Sequence, residues 1–448
     1  MNNDSKAGTD SLWRNLPFQR LFWAHVVSLV GSGLSSVALG LLAHQLVGAS
    51  ASAVLGITLA IRIIVIVLCA PWAGLVADRF GARTTMIVSD LFRAGIVVGF
   101  FFVGDVWHIY ALAVLLNLGA AIFTPVYKAV IPGITTAEQY PRALALGSVA
   151  YDTANILGPS LAGLTIALFG FRGNFVADSA TFLLSAALIF GLPRLAISIT
   201  PAKPKISIGH GIAAMFQRWQ LRETLYLALQ TSVAGGFVLV ATVDFIKGQL
   251  ALPDASYAWA MAAYGIGSVM GATTYGKMPQ PVRNQLVNAA APAMMAALVG
   301  AGFFQRFEPV LVAWAFAGAG QSILGIRGNE ILATNSSSDE RPHIYAAHFS
   351  LSHAGWGFTY PLAGFLVSGI GFAWSAYIFA ALLAVVTMPV WISQLRLVAA
   401  HGKAPDRAHG HAHSVLDPPG NYHIHEHRHG DLVHSHSHQH GVPHRHDE

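Results

Sequence analysis

The sequence predicts an all-α membrane protein: twelve transmembrane helices in two pseudo-symmetric six-helix halves, followed by a disordered His-rich tail. Three observations lead there. Only 10% of the 448 residues are charged and 54% are hydrophobic, whereas a soluble domain carries roughly 25% charged residues. Twelve stretches are apolar over the roughly 20 residues that a helix needs to cross a bilayer core. Positive charge is also lopsided: with the N-terminus inside, twenty of the 26 Lys+Arg lie in cytoplasmic segments, and only Arg172, Lys247 and Arg306 lie opposite. A mean hydropathy of +0.53 agrees. This composition excludes a cytosolic enzyme and a nucleic-acid binder.

The spans lie near 18–46, 52–75, 84–104, 107–128, 142–168, 172–192, 223–246, 257–276, 285–305, 309–332, 345–370 and 372–394. In lipid every backbone polar group must be paired internally, so these are helices. The first span follows Arg20 and exceeds a signal-peptide core, so it is expected to remain uncleaved. The 44 Gly and 21 Pro suit close helix packing and local breaks. Residues 1–17 form a cytoplasmic N-terminus, 18–192 the first half, 193–222 a central cytoplasmic loop, 223–394 the second half and 395–448 the tail. Within the central loop, 212–221 reads as an amphipathic helix on the membrane surface. The six-plus-six division indicates internal duplication. The single Cys69 rules out a disulfide framework and a Cys-based metal site. No Walker P-loop is present, so the chain is not expected to be an enzyme or to spend ATP.

Between spans 2 and 3 the chain reads Gly74-Leu-Val-Ala-Asp78-Arg79-Phe-Gly81-Ala-Arg83. This resembles the loop signature G-x-L-x-D-R-x-G-x-R of the major facilitator superfamily, at the matching place in the order of spans. Gly74 and Gly81 permit close packing and a tight turn. The resemblance gives Asp78 the role of latching the outward-facing state at the N-terminus of helix 11, and Arg79 and Arg83 would pair nearby or face headgroups. Span 5 carries Ala154-Asn155-Ile-Leu-Gly158-Pro159-Ser-Leu-Ala162-Gly163. It is similar to the superfamily's antiporter motif, with Ala154 and Ala162 in place of two glycines, and this favours efflux. Gly158, Pro159 and Gly163 are therefore gating candidates. Tyr360-Pro361-Leu-Ala363-Gly364 echoes this stretch at an offset of 201, which also carries Asp152 onto His353. The loop from Gly271 to Lys277 is a worn copy of the first signature without its Asp. The resemblance covers residues 15–395. The opening Phe18-Gln-Arg20-Leu-Phe-Trp23 looks like the branch that includes siderophore and macrolide efflux proteins.

Ionisable residues at bilayer depth are expensive and mark functional candidates. Asp152 lies mid-span with Asn155 on the same face and is the first candidate for proton or metal exchange. His353 lies mid-span and His348 nearer the cytoplasm, about 140° apart on the helix. Arg62 needs a partner, for which Asp152 is the obvious choice. Arg327 and Glu330 read as a pair, as do Asp90 and Arg93. Asp178 reads as structural, Asp244 as part of an exit path, and His25 and His44 as capping or interfacial residues.

The tail differs in kind. Of 21 His, 14 lie at or after His401. His409, His411 and His413 alternate with other residues. His423, His425, His427 and His429 do so too, as do His434, His436, His438 and His440, and His444 and His446 follow. The intervening Gly, Pro, Ser, Asp and Glu cannot build a core. Neutral imidazole suits Zn, Cu, Fe and Ni, and alternation lets two or three rings reach one ion. A bundle of this superfamily with such a tail resembles bacterial nickel-resistance exporters. The resemblance implies proton-coupled export of Ni2+, or of Co2+ or Zn2+, by alternating access in the bacterial inner membrane, with the tail capturing cytosolic metal. The expected partners are divalent metal, protons and the bilayer, with no tightly bound cofactor, no nucleic acid and a monomeric state. The alternative is an organic-solute exporter for drugs or siderophores, its tail buffering or sensing metal.

Overall fold

The computed structural model describes residues 12–69, 72–136, 139–193, 208–337, 340–401, 422–429 and 432–439. In chain order the helices are α1 (Leu16–Val47), α2 (Ala51–Cys69), α3 (Ala73–Phe80), α4 (Ala82–Gly99), α5 (Val106–Ile134) and α6 (Tyr140–Phe190). After the central loop come α7 (Ile208–Gln217), α8 (Trp219–Val243), α9 (Asp254–Lys277), α10 (Gln280–Phe304), α11 (Phe307–Thr334), α12 (Arg341–Ile370) and α13 (Phe372–His401). Eight stretches of the described residues are long and apolar enough to cross a bilayer, the first being α1 and α2 together.

α6 holds two spans. Its path breaks at Gly170, where φ is 70° and ψ 169°, a left-handed conformation that glycine adopts without steric cost. α12 and α13 join the same way at Gly371, with φ 81° and ψ 170°. The two glycines lie at the offset of 201 that the sequence echo gave, so the duplication reaches the backbone. Counting α6 as two, and leaving out the short α3 and α7, the helices follow the twelve expected spans in order.

Two boundaries differ from expectation. The described part of α2 ends at Cys69, and a separate helix begins at Ala73, where one span is expected to run to about 75. The signature stretch forms its own helix, α3, closed by Gly81 at φ 83° with its N–H on the Ala77 carbonyl at 2.8 Å. The amphipathic helix runs from Ile208 to Gln217 rather than 212–221, because Arg218 is extended (φ −92°, ψ 120°) and α8 starts directly after it.

Packing within the first half rests on a backbone contact between α1 and α6. A Cβ on Gly158 would meet the Gly33 Cα at 2.7 Å, and one on Gly33 would meet the Gly158 Cα at 2.5 Å. Such small-residue contacts replace the hydrophobic drive that lipid cannot supply. Across the halves, α2 packs on α12 and α6 on α9. The buried apolar residues show where the halves join. One cluster mixes them, with Leu34–Ala43 of α1 beside Val238, Phe245 and Ile246 of the α8 end. Toward the other end each half keeps its own cluster: Phe18, Met86, Phe123 and Ile189 in the first, Met215, Leu221, Leu332 and Ile344 in the second.

The tail forms a separate unit from Gln394 onward. In it, strands β1 (Tyr422–His429) and β2 (Leu432–Gln439) pair antiparallel. His423 stands opposite His438, His425 opposite His436 and His427 opposite His434. Alternate residues of a strand share a face, so these three cross-strand pairs lie on one face of the ribbon.

Gly158→Leu is expected to destabilise the bundle by about 1–3 kcal/mol, the usual cost of overpacking. Gly95→Ala is expected to leave stability unchanged or slightly raised, because nothing lies within 4 Å of a Cβ there. Thermal unfolding in detergent, followed by tryptophan fluorescence, checks both.

Candidate transport site and gates

The shared end is closed by a contact that the helix geometry explains. α2 starts at Ala51 with its first N–H groups unpaired, as every helix does. The carboxylate that answers them comes from the other half: Asp244 accepts from the Ser52 N–H at 3.0 Å. The Ser52 hydroxyl in turn donates to the Val240 carbonyl at 2.8 Å. Asp244 opens a π-helical turn, Asp244–Gln249, that lies against the 3-10 turn Gly48–Ser50. A carboxylate at a helix N-terminus is favoured by both hydrogen bonding and the helix dipole. Asp244 thus ties the second half to the start of α2 in the first.

At the other end, Lys128 of α5 and Phe349 of α12 are exposed, and the ammonium lies 5.8 Å from the ring centroid. Phe349 stacks against His353 at 3.8 Å between centroids, and His353 Nδ1 lies 2.8 Å from the Phe349 carbonyl. Arg62, Lys128 and His348 are all within electrostatic reach of His353. The structure thus sets Arg62, Lys128 and His348 around His353, a grouping the sequence reading did not make, since it placed His348 and His353 about 140° apart and gave Arg62 to Asp152. Among the described residues no carboxylate forms an ion pair with Arg62 or Lys128. The side chains of Asp152, Asn155 and Pro159 lie outside the description, and with them the expected Arg62–Asp152 pair.

Deeper in the first half is a buried polar cluster. Arg93 donates to Asp90 and, at 3.1 Å, to the Ser28 hydroxyl. Its guanidinium lies over Phe182 and Phe123, at 4.3 and 4.7 Å from the ring centroids. Asp178 accepts from the Ser35 hydroxyl. A cavity of about 60 Å³ lined by Ser32, Ser35, Arg62, Arg93 and Asn117 joins this cluster to Arg62. His25 is buried and stacked on Tyr127 at 4.0 Å, so it is neither a cap nor an interfacial residue.

The signature residues hold the opposite end together. Arg83 donates to the Phe190 carbonyl and stacks on that ring at 4.8 Å, placing a cation at the C-terminus of α6. Arg79 lies 5.7 Å from the Phe80 ring centroid. Asp78 is exposed on α3, one turn from Gly74. The start of α12 carries its own carboxylate, Glu340, which Arg218 grips with two bonds of 2.7 and 2.9 Å. That grip holds the Arg218 pKa above its ordinary value. Glu330 is drawn away from any central site: it pairs with Arg283, accepts from Tyr275 Oη at 2.7 Å and lies 3.7 Å from Arg327. The expected Arg327–Glu330 pair is thus the looser member of a three-helix cluster. Among the described residues no group of three His, Cys, Asp or Glu is arranged to hold a metal. Of the tail histidines, His423 to His429 and His434 to His438 lie on the strands, whereas His409, His411, His413, His440, His444 and His446 lie outside the described residues.

Sequence reasoning missed two of these features. Lys128 reads as a loop charge because it sits at the end of an apolar run. The Asp244–Ser52 contact joins positions 192 apart, and no local pattern announces it.

Two six-helix halves that share one buried apolar cluster at one end and keep separate clusters toward the other define a two-domain membrane transporter. The profile of the Major Facilitator Superfamily matches residues 21–229 and again 224–421, and the chain belongs to that superfamily. The chain is 26% identical over 219 residues to an uncharacterised MFS-type transporter, YfiS, of Bacillus subtilis (strain 168), covering 47% of this chain and 52% of the relative. It is 25% identical over 194 residues to the multidrug resistance protein MdtH of Klebsiella pneumoniae (strain 342), covering 43% and 46%. The chain thus spans about half the length of these curated relatives. In fold it is similar to a bacterial homologue of the human lysosomal transporter Spinster in an inward-facing, unoccupied conformation, with TM-score 0.64 and 12% identity over 85% of this chain and 96% of that one. The nucleoside transporter NupG gives TM-score 0.62 at 11% identity, over 83% and 98%. These likenesses carry the fold. The protein is a multi-pass membrane transporter with bacterial relatives.

Hydrogen bonds to a charged group contribute about 1.5–3 kcal/mol, and a tenfold shift in a gate equilibrium takes about 1.4 kcal/mol. Asp244→Ala is therefore expected to open the closed end about tenfold more often or beyond. Labelling of Val54→Cys by an impermeant maleimide from that side, with Cys69→Ala as background, measures this.

Proposed function

We propose that the protein is a secondary exporter of a divalent transition metal, nickel foremost, in the bacterial inner membrane, driven by proton antiport. The observation that carries this reading is the tail. Fourteen histidines stand at or after His401, and on the strands six of them stand in three facing pairs. Directly opposed strand residues have Cβ atoms about 4.5–5.5 Å apart, close enough for two imidazoles to share an ion. Binding requires neutral rings, and an unperturbed His with pKa about 6.5 is mostly neutral at cytosolic pH. Cobalt and zinc fit the same donors. The tail would raise the metal concentration at the cytoplasmic mouth, and the two halves would rock about a central site to release cargo at the Asp244 end. The efflux motif in α6 supports the outward direction, and the charge bias of the loops supports cytoplasmic termini.

A second reading has a specific observation in its favour. Arg62 and Lys128 lie within electrostatic reach of His353, and Phe349 lies against both Lys128 and His353. Cations beside an aromatic ring suit an organic solute with a negative charge, and some relatives are multidrug resistance proteins. The tail would then buffer or sense metal.

Cells producing the full chain, or a chain ending at residue 400, separate the readings when total and free nickel are measured. Metal export predicts that both forms lower total nickel at high load, with the truncated form several-fold less effective at low load. A rise in total nickel with a fall in free nickel, seen only with the tail, overturns export and supports buffering. Unchanged nickel with altered drug tolerance supports the organic solute.

A further inference from the structure

We propose that Asp90, Asp178 and Arg93 form a proton-binding site in which one of two carboxylates set around a single guanidinium carries a proton. The inference deepens the antiport reading by naming where the proton rides, at a place separate from the Asp152 and His353 positions that the sequence singled out.

The three side chains sit where no solvent reaches them: Asp90 and Asp178 are 0% exposed and Arg93 is 4% exposed. Fully ionised, the cluster holds one negative charge in excess. An uncompensated charge at this depth costs several kcal/mol, and two carboxylates serving one site cannot easily both ionise. One added proton brings the cluster to neutrality.

Two orphan atoms mark the place for it. Asp90 uses one oxygen on Arg93, and its other oxygen, Oδ2, is buried with no hydrogen-bond partner. The hydroxyl of Ser185, on the second span of α6, is buried and equally without a partner, and it lies beside Asp90. A hydroxyl both donates and accepts, so a proton on Asp90 Oδ2 has an acceptor waiting in Ser185 Oγ. Asp178 has partners of its own, accepting from Ser35 and from Thr181 Oγ1 at 3.4 Å. Deprotonation of Asp90 reverses its bond to Ser185, with Ser185 donating to the carboxylate, and returns the excess charge to the cluster.

The cavity of about 60 Å³ that touches Arg93 and Arg62 has room for about four waters beside the guanidinium of the cluster. The groups that face the cluster are few. α1 brings His25, Ser28 and Ser35, α2 brings Arg62, α5 brings Asn117, Tyr127 and Lys128, and α6 brings Asp178, Thr181 and Ser185. Of these His25 is buried and stacked on Tyr127, within electrostatic reach of Arg93 and Lys128.

Infrared difference spectroscopy of the full chain in lipid nanodiscs, titrated with acid in water and deuterium oxide, reads the site without substrate. The expected result is a deuterium-sensitive C=O band of one buried carboxylic acid. Asp90→Asn and Asp178→Asn should each abolish it, since each leaves one carboxylate balanced by Arg93. Each variant should also unfold thermally at or above the parent temperature. His25→Gln should keep the band. A band of full intensity in both Asn variants, or no such band in the parent, overturns the proposal. In proteoliposomes with Ni2+ as probe, the Asn variants should lose the response of flux to an imposed pH gradient. Parent flux indifferent to that gradient, with the band behaving as expected, overturns antiport and leaves the proton site standing.

Discussion

The contact of α1 with α6 at Gly33 and Gly158 sets the first half of the bundle. Without side chains at that crossing the two backbones touch, and the polar groups above and below come into register. Ser28 and Ser35 of α1 then meet Arg93 and Asp178. Asn174, just past the break at Gly170, reaches the Leu34 carbonyl at 3.4 Å. A methyl group at the crossing would push apart helices whose polar residues have no water to fall back on. The close approach is thus a precondition for burying charge at all.

The two halves handle charge differently although they share a backbone plan. The first half buries two carboxylates and a guanidinium in its core. The second keeps its ion pairs at the membrane ends: Arg218 with Glu340, Arg283 with Glu330, and Lys247 with Asp254 at 2.7 Å. Beside the packing of α2 on α12 and α6 on α9, a carboxylate links the halves: Asp244, capping a helix that belongs to the other half. A rocking transporter needs such an arrangement. One half carries the titratable machinery, the other offers a rigid partner, and the contact between them is strong enough to hold yet small enough to break.

The helices were legible because lipid imposes a blunt rule, some 20 apolar residues per crossing, and loop arginines and lysines mark the ends. The break at Gly170 and its mate at Gly371 could be anticipated from the offset of the Ala-Gly pairs. What escaped was set by distance in the chain. Asp90 and Arg93 pair locally and could be read, but Asp178 joins them from another helix, and Ser185 shows its part only in three dimensions. Glu330 looked like a transport residue because it is a charge near a span. It turned out to be tied to Arg283, a residue whose loop position gave no hint of it. In the tail, alternation of histidine read as flexible spacing, and the same alternation is the period of a strand.

Alternating access requires that the two ends move in opposite senses. Spin labels at Asp105 and Gln305 report the closed end, and labels at Thr84 and Met278 report the open end, all exposed positions in opposite halves. Pulsed electron resonance distances, in the Cys69→Ala background, should show the Asp244→Ala change lengthening the first distance and shortening the second. Both distances rising together, or the second staying fixed while the first lengthens, would contradict a rocking bundle gated at Asp244.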